Sequence, residues 1–326
     1  MSRQRSPQRL QQHRANLRAW ATFRRACGNE LVVDAELMRF LGLSNLLPNV
    51  IPRPIAISRK LSRLKPAWPW LFVIAAALWM WLLFPLLLGV QIVRTWVVWR
   101  KQPRRTEPVA NDVGVVLTPR VCDVVRCVPA ERRPRCWITT PWLNVAPTEA
   151  DGEAIPLLSY ARRTDLLRAA WLAWRAVGII QRKGLGRWPG GQSRTAILQT
   201  YIAWDWFLTW QVLPRCMTPS AGVWFANHYD RWTVLLDRLP AGGPRHLVQH
   251  GFARGELTMP YQQRRVSEVL YFDQGTRQIL QDVALSPRCR PRWTAIKAEL
   301  KLTPWSSVSH GVRPVGFRVL VIGQPI

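Results

Sequence analysis

The sequence predicts an α/β protein with a Rossmann-like parallel sheet, preceded by a membrane-associated helical segment. Two observations predict this class. From residue 113 onward, short apolar runs alternate with helical stretches through short connections, as a doubly wound parallel sheet requires. Upstream, residues 67–90 form a run of 24 positions without a formal charge. So long an uncharged run is rare in soluble domains and is typical of a membrane segment.

The composition indicates an anionic partner. The 326 residues include 46 Lys and Arg against 19 Asp and Glu, a formal net charge of +27. Acidic lipid, a phosphorylated substrate or nucleic acid would match that charge, and so would a plain compositional bias towards dispersed arginine. Nucleic acid is disfavoured because no helix-turn-helix, RNP aromatic pair or zinc knuckle is present. The 19 tryptophans favour a membrane–water interface.

Residues 1–66 form a basic N-terminal region. The first 25 residues contain seven arginines and no acid, and we expect them to be mobile and to face lipid. Residues 31–47 are expected to form a short amphipathic helix that ends before Pro48.

Residues 67–99 are expected to be a transmembrane or re-entrant helical segment. Five basic residues precede it and four follow it closely, so the positive-inside rule gives little preference for an orientation. Pro85 is expected to break the helix. We therefore favour a re-entrant or interfacial helix–Pro–helix over a single span, with both ends in the cytoplasm at the inner membrane. The alternative is a buried core helix.

Residues 100–112 are a polar linker, and residues 113–310 are expected to form one Rossmann-like domain. Strands are predicted at residues 113–117, 136–139, 221–226, 246–250, 270–272 and 318–323, and helices at 165–181, 193–210, 231–239 and 276–283. The strands at 223–226 and 247–249 are expected to be parallel neighbours.

Polar residues follow two of these strands, at the sheet edge where open parallel sheets bind ligands. A histidine titrates near neutrality and can act as a general base. The candidate catalytic residues are His250, His228 and Asp230, and the candidate substrate-binding residues are Asn227, Gln249 and Gly251. The alternative is that these residue types only form turns.

The motifs Asn-His-Tyr-Asp at residues 227–230 and Gln-His-Gly at 249–251 resemble the acceptor-side half of bacterial surface-carbohydrate transferases of glycosyltransferase B fold. These include capsule polysaccharide glycosyltransferases and the CDP-glycerol glycerophosphotransferase group. The resemblance covers residues 155–326. It implies a histidine in the interdomain cleft, here His250, with a weaker implication for His228 and Asp230. It also implies a nucleotide-activated donor as substrate, no cofactor, and a polyprenyl-linked or polysaccharide acceptor.

The resemblance has one departure. The family's second Rossmann-like domain binds the donor, and residues 311–326 match only the start of such a domain, so we expect the donor half to be missing. No Asp-x-Asp motif is present, which favours metal-independent transfer. The predicted function is a membrane-associated glycosyl- or glycerophosphate-transferase of surface polysaccharide biosynthesis. The alternative is a non-catalytic membrane scaffold of the same fold that binds a partner.

Overall fold

Seven strands form one wholly parallel sheet in the order β3-β2-β1-β4-β5-β6-β7. The structure, a computed structural model, describes residues 7–40, 78–109, 111–118, 121–143, 147, 151–184, 203–239, 242–249 and 259–297. The strands are β1 Val113–Val116, β2 Cys136–Thr139, β3 Glu153–Pro156, β4 Val223–Phe225, β5 Arg245–Val248, β6 Glu268–Tyr271 and β7 Arg292–Ala295. The Rossmann-like sheet predicted from the sequence is confirmed. The chain reverses its direction of travel across the sheet between β1 and β4, which is the topological switch point.

Helices lie before and between the strands. They are α1 Pro7–Phe40, α2 Phe84–Lys101, α3 Val121–Val125, α4 Arg163–Gly184, α5 Ala203–Cys216, α6 Arg231–Arg238 and α7 Gln274–Ile279. Two π-helical turns, Trp79–Leu83 and Leu280–Ala284, adjoin α2 and α7. The predicted pairing of the fourth and fifth strands is confirmed, since Phe225 lies opposite Leu247 in a parallel register.

The N-terminal region differs from its prediction. Residues 7–40 form one helix of 34 residues, so the expectation of a mobile first 25 residues and a helix only from residue 31 is wrong where the structure describes them. The physical reason is a buried stripe at helical spacing that includes Ala19, Phe23 and Cys27. The Phe23 ring lies 4.9 Å from that of Phe207 on α5, so α1 is part of the core.

The apolar segment also differs from its prediction, because no helix break occurs at Pro85. The π-helical turn ends at Leu83, and Pro85 lies in the first turn of α2. Leu83 already has α-helical backbone angles, so the helix runs from the π turn past Pro85 without a break. Single turns inside α-helices are the usual form in which π-helix occurs. Within the described residues, Trp81–Lys101 is the one helix long and apolar enough to cross a membrane; its mean hydropathy is 1.7 and 17% of that window is buried.

Helix α2 lies along the α/β domain for its whole length. Its buried residues Phe84, Leu88, Thr95 and Trp99 form one narrow stripe. Near the start, Phe84 stacks on Trp174 of α4 with ring centroids 6.2 Å apart. The remaining face of α2 and the π-helical turn before it expose large apolar side chains to solvent: Leu86, Leu87, Val90, Val93 and Val97 in α2, and Trp81, Leu82 and Leu83 in the turn.

The two faces of the sheet are covered unequally. One core contains side chains from α1, α2, α4, α5 and α6, and the core on the opposite face is smaller, with α3 as its main helix. The domain boundaries predicted at residues 66, 99 and 112 stay predictions, although side chains from both sides of each boundary share the larger core.

Candidate functional site

The candidate site lies at the carboxyl edge of β4, β5 and β6. Because these strands are parallel neighbours, the residues that follow them meet at one edge. Asn227 and His228 follow β4, Gln249 follows β5, and Asp273 follows β6. The structure therefore brings together the predicted residues that it describes, while His250 and Gly251 lie outside the described residues.

Asp230 caps helix α6. Its carboxylate accepts hydrogen bonds from the backbone N–H groups of Trp232 at 2.9 Å and Thr233 at 3.1 Å, as an N-cap residue does. The Asn227 amide donates to the same carboxylate at 2.5 Å. Burial raises the pKa of Asp230, although the Asn227 hydrogen bond and the charge of Arg231 oppose the rise. These contacts give Asp230 and Asn227 a clear role in shaping the loop, and their roles in catalysis and substrate binding stay predictions.

Gln249 ties β5 to the segment after β6. Its amide nitrogen donates to Asp273 at 2.7 Å, and its carbonyl oxygen accepts from the Phe272 N–H at 2.9 Å. Asp273 in turn caps α7 through the Thr276 N–H at 2.7 Å. Burial acts to raise the pKa of Asp273, but the hydrogen bonds from Gln249 and Thr276 outweigh it and lower the pKa. Gln249 is fully buried, so it fixes the edge of the sheet.

His228 is 4% exposed, and its ring meets that of Tyr229 edge-on at a centroid distance of 4.8 Å. Helix α1 covers this loop. The Asn29 amide donates to the Tyr229 carbonyl at 2.9 Å and accepts from the Tyr261 N–H at 3.1 Å. A residue of the N-terminal helix thus joins the loops that follow β4 and β5. Proton transfer by His228 stays a prediction.

Asp205, in the first turn of α5, is a candidate that the sequence prediction missed. It shares a cavity of about 70 Å³ with Arg94 and Thr95 of α2 and with Trp142, which follows β2. Burial raises the pKa of Asp205 to about 7, with the charge of Arg231 opposing the rise. A carboxyl group that titrates near neutrality can accept or donate a proton at physiological pH. The sequence feature that could have identified Asp205 is its position as a single acidic residue between aromatic residues.

A second polar cluster lies on the less covered face of the sheet. The His246 ring stacks on Trp224 with centroids 4.2 Å apart, and its Nδ1 lies 3.0 Å from Glu268. Arg132 donates to both oxygens of Glu268 at 2.7 and 2.8 Å. Burial acts to raise the pKa of Glu268, but hydrogen bonds from Thr294, Arg132 and His246 outweigh it and lower the pKa. This cluster attaches the segment after α3 to the sheet.

Comparisons with known proteins identify no relative of this chain. The chain matches no family model, no curated protein and no solved structure. Within the ranges that the structure describes, no group of three or more His, Cys, Asp or Glu side chains is placed to hold a metal ion.

Proposed function

We propose that this protein is a membrane-associated transferase of surface polysaccharide biosynthesis, acting on the cytoplasmic side of the inner membrane. It transfers a glycosyl or glycerophosphate group from a nucleotide-activated donor to a hydroxyl group of a polyprenyl-linked or polysaccharide acceptor. The observation that carries the proposal is the polar carboxyl edge after β4 and β5, beside the topological switch of a wholly parallel sheet. Ligands of open parallel sheets bind at such a point.

In the proposed reaction, a base takes the proton of the acceptor hydroxyl group. The acceptor oxygen then forms a bond to the transferred group, and the nucleotide leaves with the electrons of the bond that breaks. His250 is the base that the family resemblance implies. Asp205 is a second candidate base on geometric grounds, because it lies beside the helix that faces lipid in this proposal. The basic composition suits the stabilisation of a phosphate leaving group.

The membrane part of the proposal is supported by the exposed face of α2. A soluble core helix is mostly buried, whereas 17% of this apolar window is buried. Val93 is 64% exposed and Trp81 is 69% exposed, and large apolar patches of this kind mark interaction surfaces. Because the opposite stripe of α2 packs on the domain from Phe84 to Trp99, we propose that α2 lies in the plane of the membrane surface.

The test is transfer activity in membranes of the source cell, which would also supply a separate donor half. Membranes are prepared from cells that carry the wild-type chain, no chain, His250→Ala or His13→Ala as the control histidine. The proposal predicts that transfer from nucleotide-activated donors requires the chain and falls by about 10²–10⁴-fold in His250→Ala. Equal transfer with and without the chain would contradict the proposal.

One observation favours the second candidate, a non-catalytic scaffold. Asn227, Asp230 and Gln249 all use their side chains in hydrogen bonds that hold the fold. A scaffold would keep these residues for stability alone. In that case, His250→Ala and Asp205→Asn would leave transfer unchanged while deletion of the whole chain abolished it.

A further inference from the structure

A groove of about 830 Å³ runs between helix α1 and the segment that precedes β6. Four arginines line it, two on α1, one at the end of α6 and one before β6: Arg24, Arg25, Arg238 and Arg264. The other polar groups in its lining are Asn29, Tyr261, Gln262 and Ser286. Among the described residues that line the groove, none is acidic, so this lining forms a concentrated positive surface.

The charges of these four arginines are not neutralised by ion pairs. In the parts of the chain that the structure describes, the ion pairs within 4.0 Å use other arginines. The acid that holds this segment is Asp237, one residue before Arg238. Its carboxylate accepts from the backbone N–H groups of Arg264 at 2.8 Å and Arg265 at 2.9 Å, and from the Tyr261 hydroxyl at 2.5 Å. These contacts fix the wall of the groove, and Arg238 contributes to it through a hydrogen bond to Tyr261. Arg24 and Arg264 line the groove with exposed side chains.

The groove adjoins the candidate site. Asn29, in its lining, makes the hydrogen bonds to the Tyr229 carbonyl and the Tyr261 N–H at the carboxyl edge. Towards the N-terminus, Leu17 is 47% exposed and lies seven residues before Arg24, on the same face of α1. An exposed leucine and an arginine of the groove thus lie on the same face of this helix.

We propose that the groove binds a diphosphate group. Guanidinium groups bind phosphate oxygens through paired hydrogen bonds, and several of them together favour a ligand with more than one phosphate. The identity of the ligand rests on the proposed function, in which the diphosphate belongs to a polyprenyl-linked acceptor. The same chemistry would accommodate the diphosphate of a soluble nucleotide, and the experiment below separates these two sources.

The first measurement is the binding of inorganic pyrophosphate to the full chain in detergent, by isothermal titration calorimetry. The groove variant is Arg24→Gln with Arg264→Gln, and the control is Arg135→Gln with Arg290→Gln, which removes the same charge from exposed positions outside the groove. We expect binding to weaken at least about tenfold in the groove variant and to stay within about twofold in the control. Equal weakening in both variants, or no binding to the wild-type chain, would overturn the proposal.

Both pairs of arginines are exposed, so the variants should fold, and a single unfolding transition checks this. Arg24→Lys with Arg264→Lys keeps the charge and should retain part of the affinity. The second measurement uses phosphatidylcholine vesicles with and without polyprenyl diphosphate, and competition by a nucleoside diphosphate. If the wild-type chain binds the vesicles that contain polyprenyl diphosphate and the groove variant does not, the ligand is the lipid diphosphate. If only the nucleoside diphosphate competes for the groove, the ligand is the soluble nucleotide.

The failure of this inference differs from the failure of the proposed function. The groove variant could lose pyrophosphate binding and still transfer normally. The proposed transferase function would then stand, and the proposal that the groove is its acceptor site would be overturned. If pyrophosphate binding depends on the groove but no transfer is detected, the proposed anion site stands and the proposed transferase function is contradicted.

Discussion

The Trp99 indole N–H donates a 2.8 Å hydrogen bond to the Ala161 carbonyl. The Arg104 guanidinium lies 3.5 Å from the centroid of the same ring. These contacts attach the end of the apolar helix α2 to the segment before α4. A helix fixed to its own domain at this end, and packed on Trp174 near its start, leaves its opposite side exposed along its length.

The first prediction concerns this attachment. Trp99→Phe keeps an aromatic ring but removes the indole donor, and the Ala161 carbonyl is then left with the Arg104 hydrogen bond at 3.2 Å alone. We expect the free energy of unfolding to fall by about 1–2 kcal/mol. Urea unfolding in detergent measures it, with Trp96→Phe as the control for the same ring change one turn away. Equal effects of the two variants would show that the hydrogen bond contributes nothing.

The second prediction separates capping from catalysis at Asp230. Asp230→Ala should reduce stability by about 1–2 kcal/mol because α6 loses its N-cap, whereas Asp230→Asn should nearly preserve it, since Asn is also a good N-cap residue. Total transfer activity should follow the amount of folded protein, so that the activity per folded protein stays close to that of the wild type in both variants. An Asp230→Asn variant that is stable but inactive would instead assign Asp230 a chemical role.

The third prediction concerns pH and Asp205. Because burial raises the pKa of Asp205 to about 7, the native state holds its proton more tightly than the unfolded chain does. Its contribution to stability is therefore complete below about pH 4 and is lost as the pH rises to about 7. Asp205→Asn should be more stable than wild type at pH 8, by roughly 4 kcal/mol, and no more stable at pH 4. Urea unfolding at both pH values measures this, and a difference independent of pH would contradict it.

The fourth prediction concerns Glu268, whose pKa is lowered in the folded protein. The unfolded chain then binds this proton more readily, so the contribution of Glu268 is present above about pH 4.5 and is lost as the pH falls further. Glu268→Gln should unfold more easily than wild type at pH 7, and the gap should narrow towards pH 3. A gap that widens on acidification would show that the hydrogen bonds from Arg132 and Thr294 do not favour the charged form.

The sequence predicted most of the sheet because buried parallel strands are short apolar runs. Val113–Val116 and Val223–Phe225 are examples that hydropathy alone identifies. It missed β3 and β7, since Glu153–Pro156 ends in proline and Arg292–Ala295 begins with an exposed arginine. These are the edge strands of the sheet, where such residues are tolerated.

The site was less predictable than the sheet. The positions of Asn227 and Gln249 at the strand ends followed from topology, but their partners did not. Asp273 lies 24 residues after Gln249 in the chain, and Asn29 contacts a loop 200 residues away. The length of α1 was also missed, because its buried stripe is set among arginines and its apolar character is weak.

The most direct test of the account is the depth of α2 in a bilayer. A ketone-bearing amino acid is placed at Leu82 in the turn before α2, or at Leu86, Val90, Val93 or Val97 in α2, and is coupled to a nitroxide, which avoids the native cysteines. The accessibility of each nitroxide to oxygen in anionic vesicles gives its depth. We expect similar, shallow depths of about 5–10 Å at all five positions. A profile that deepens to about 15 Å near Val90 and becomes shallow again at both ends, as a spanning helix gives, would contradict it, and so would recovery of the chain in solution without lipid or detergent.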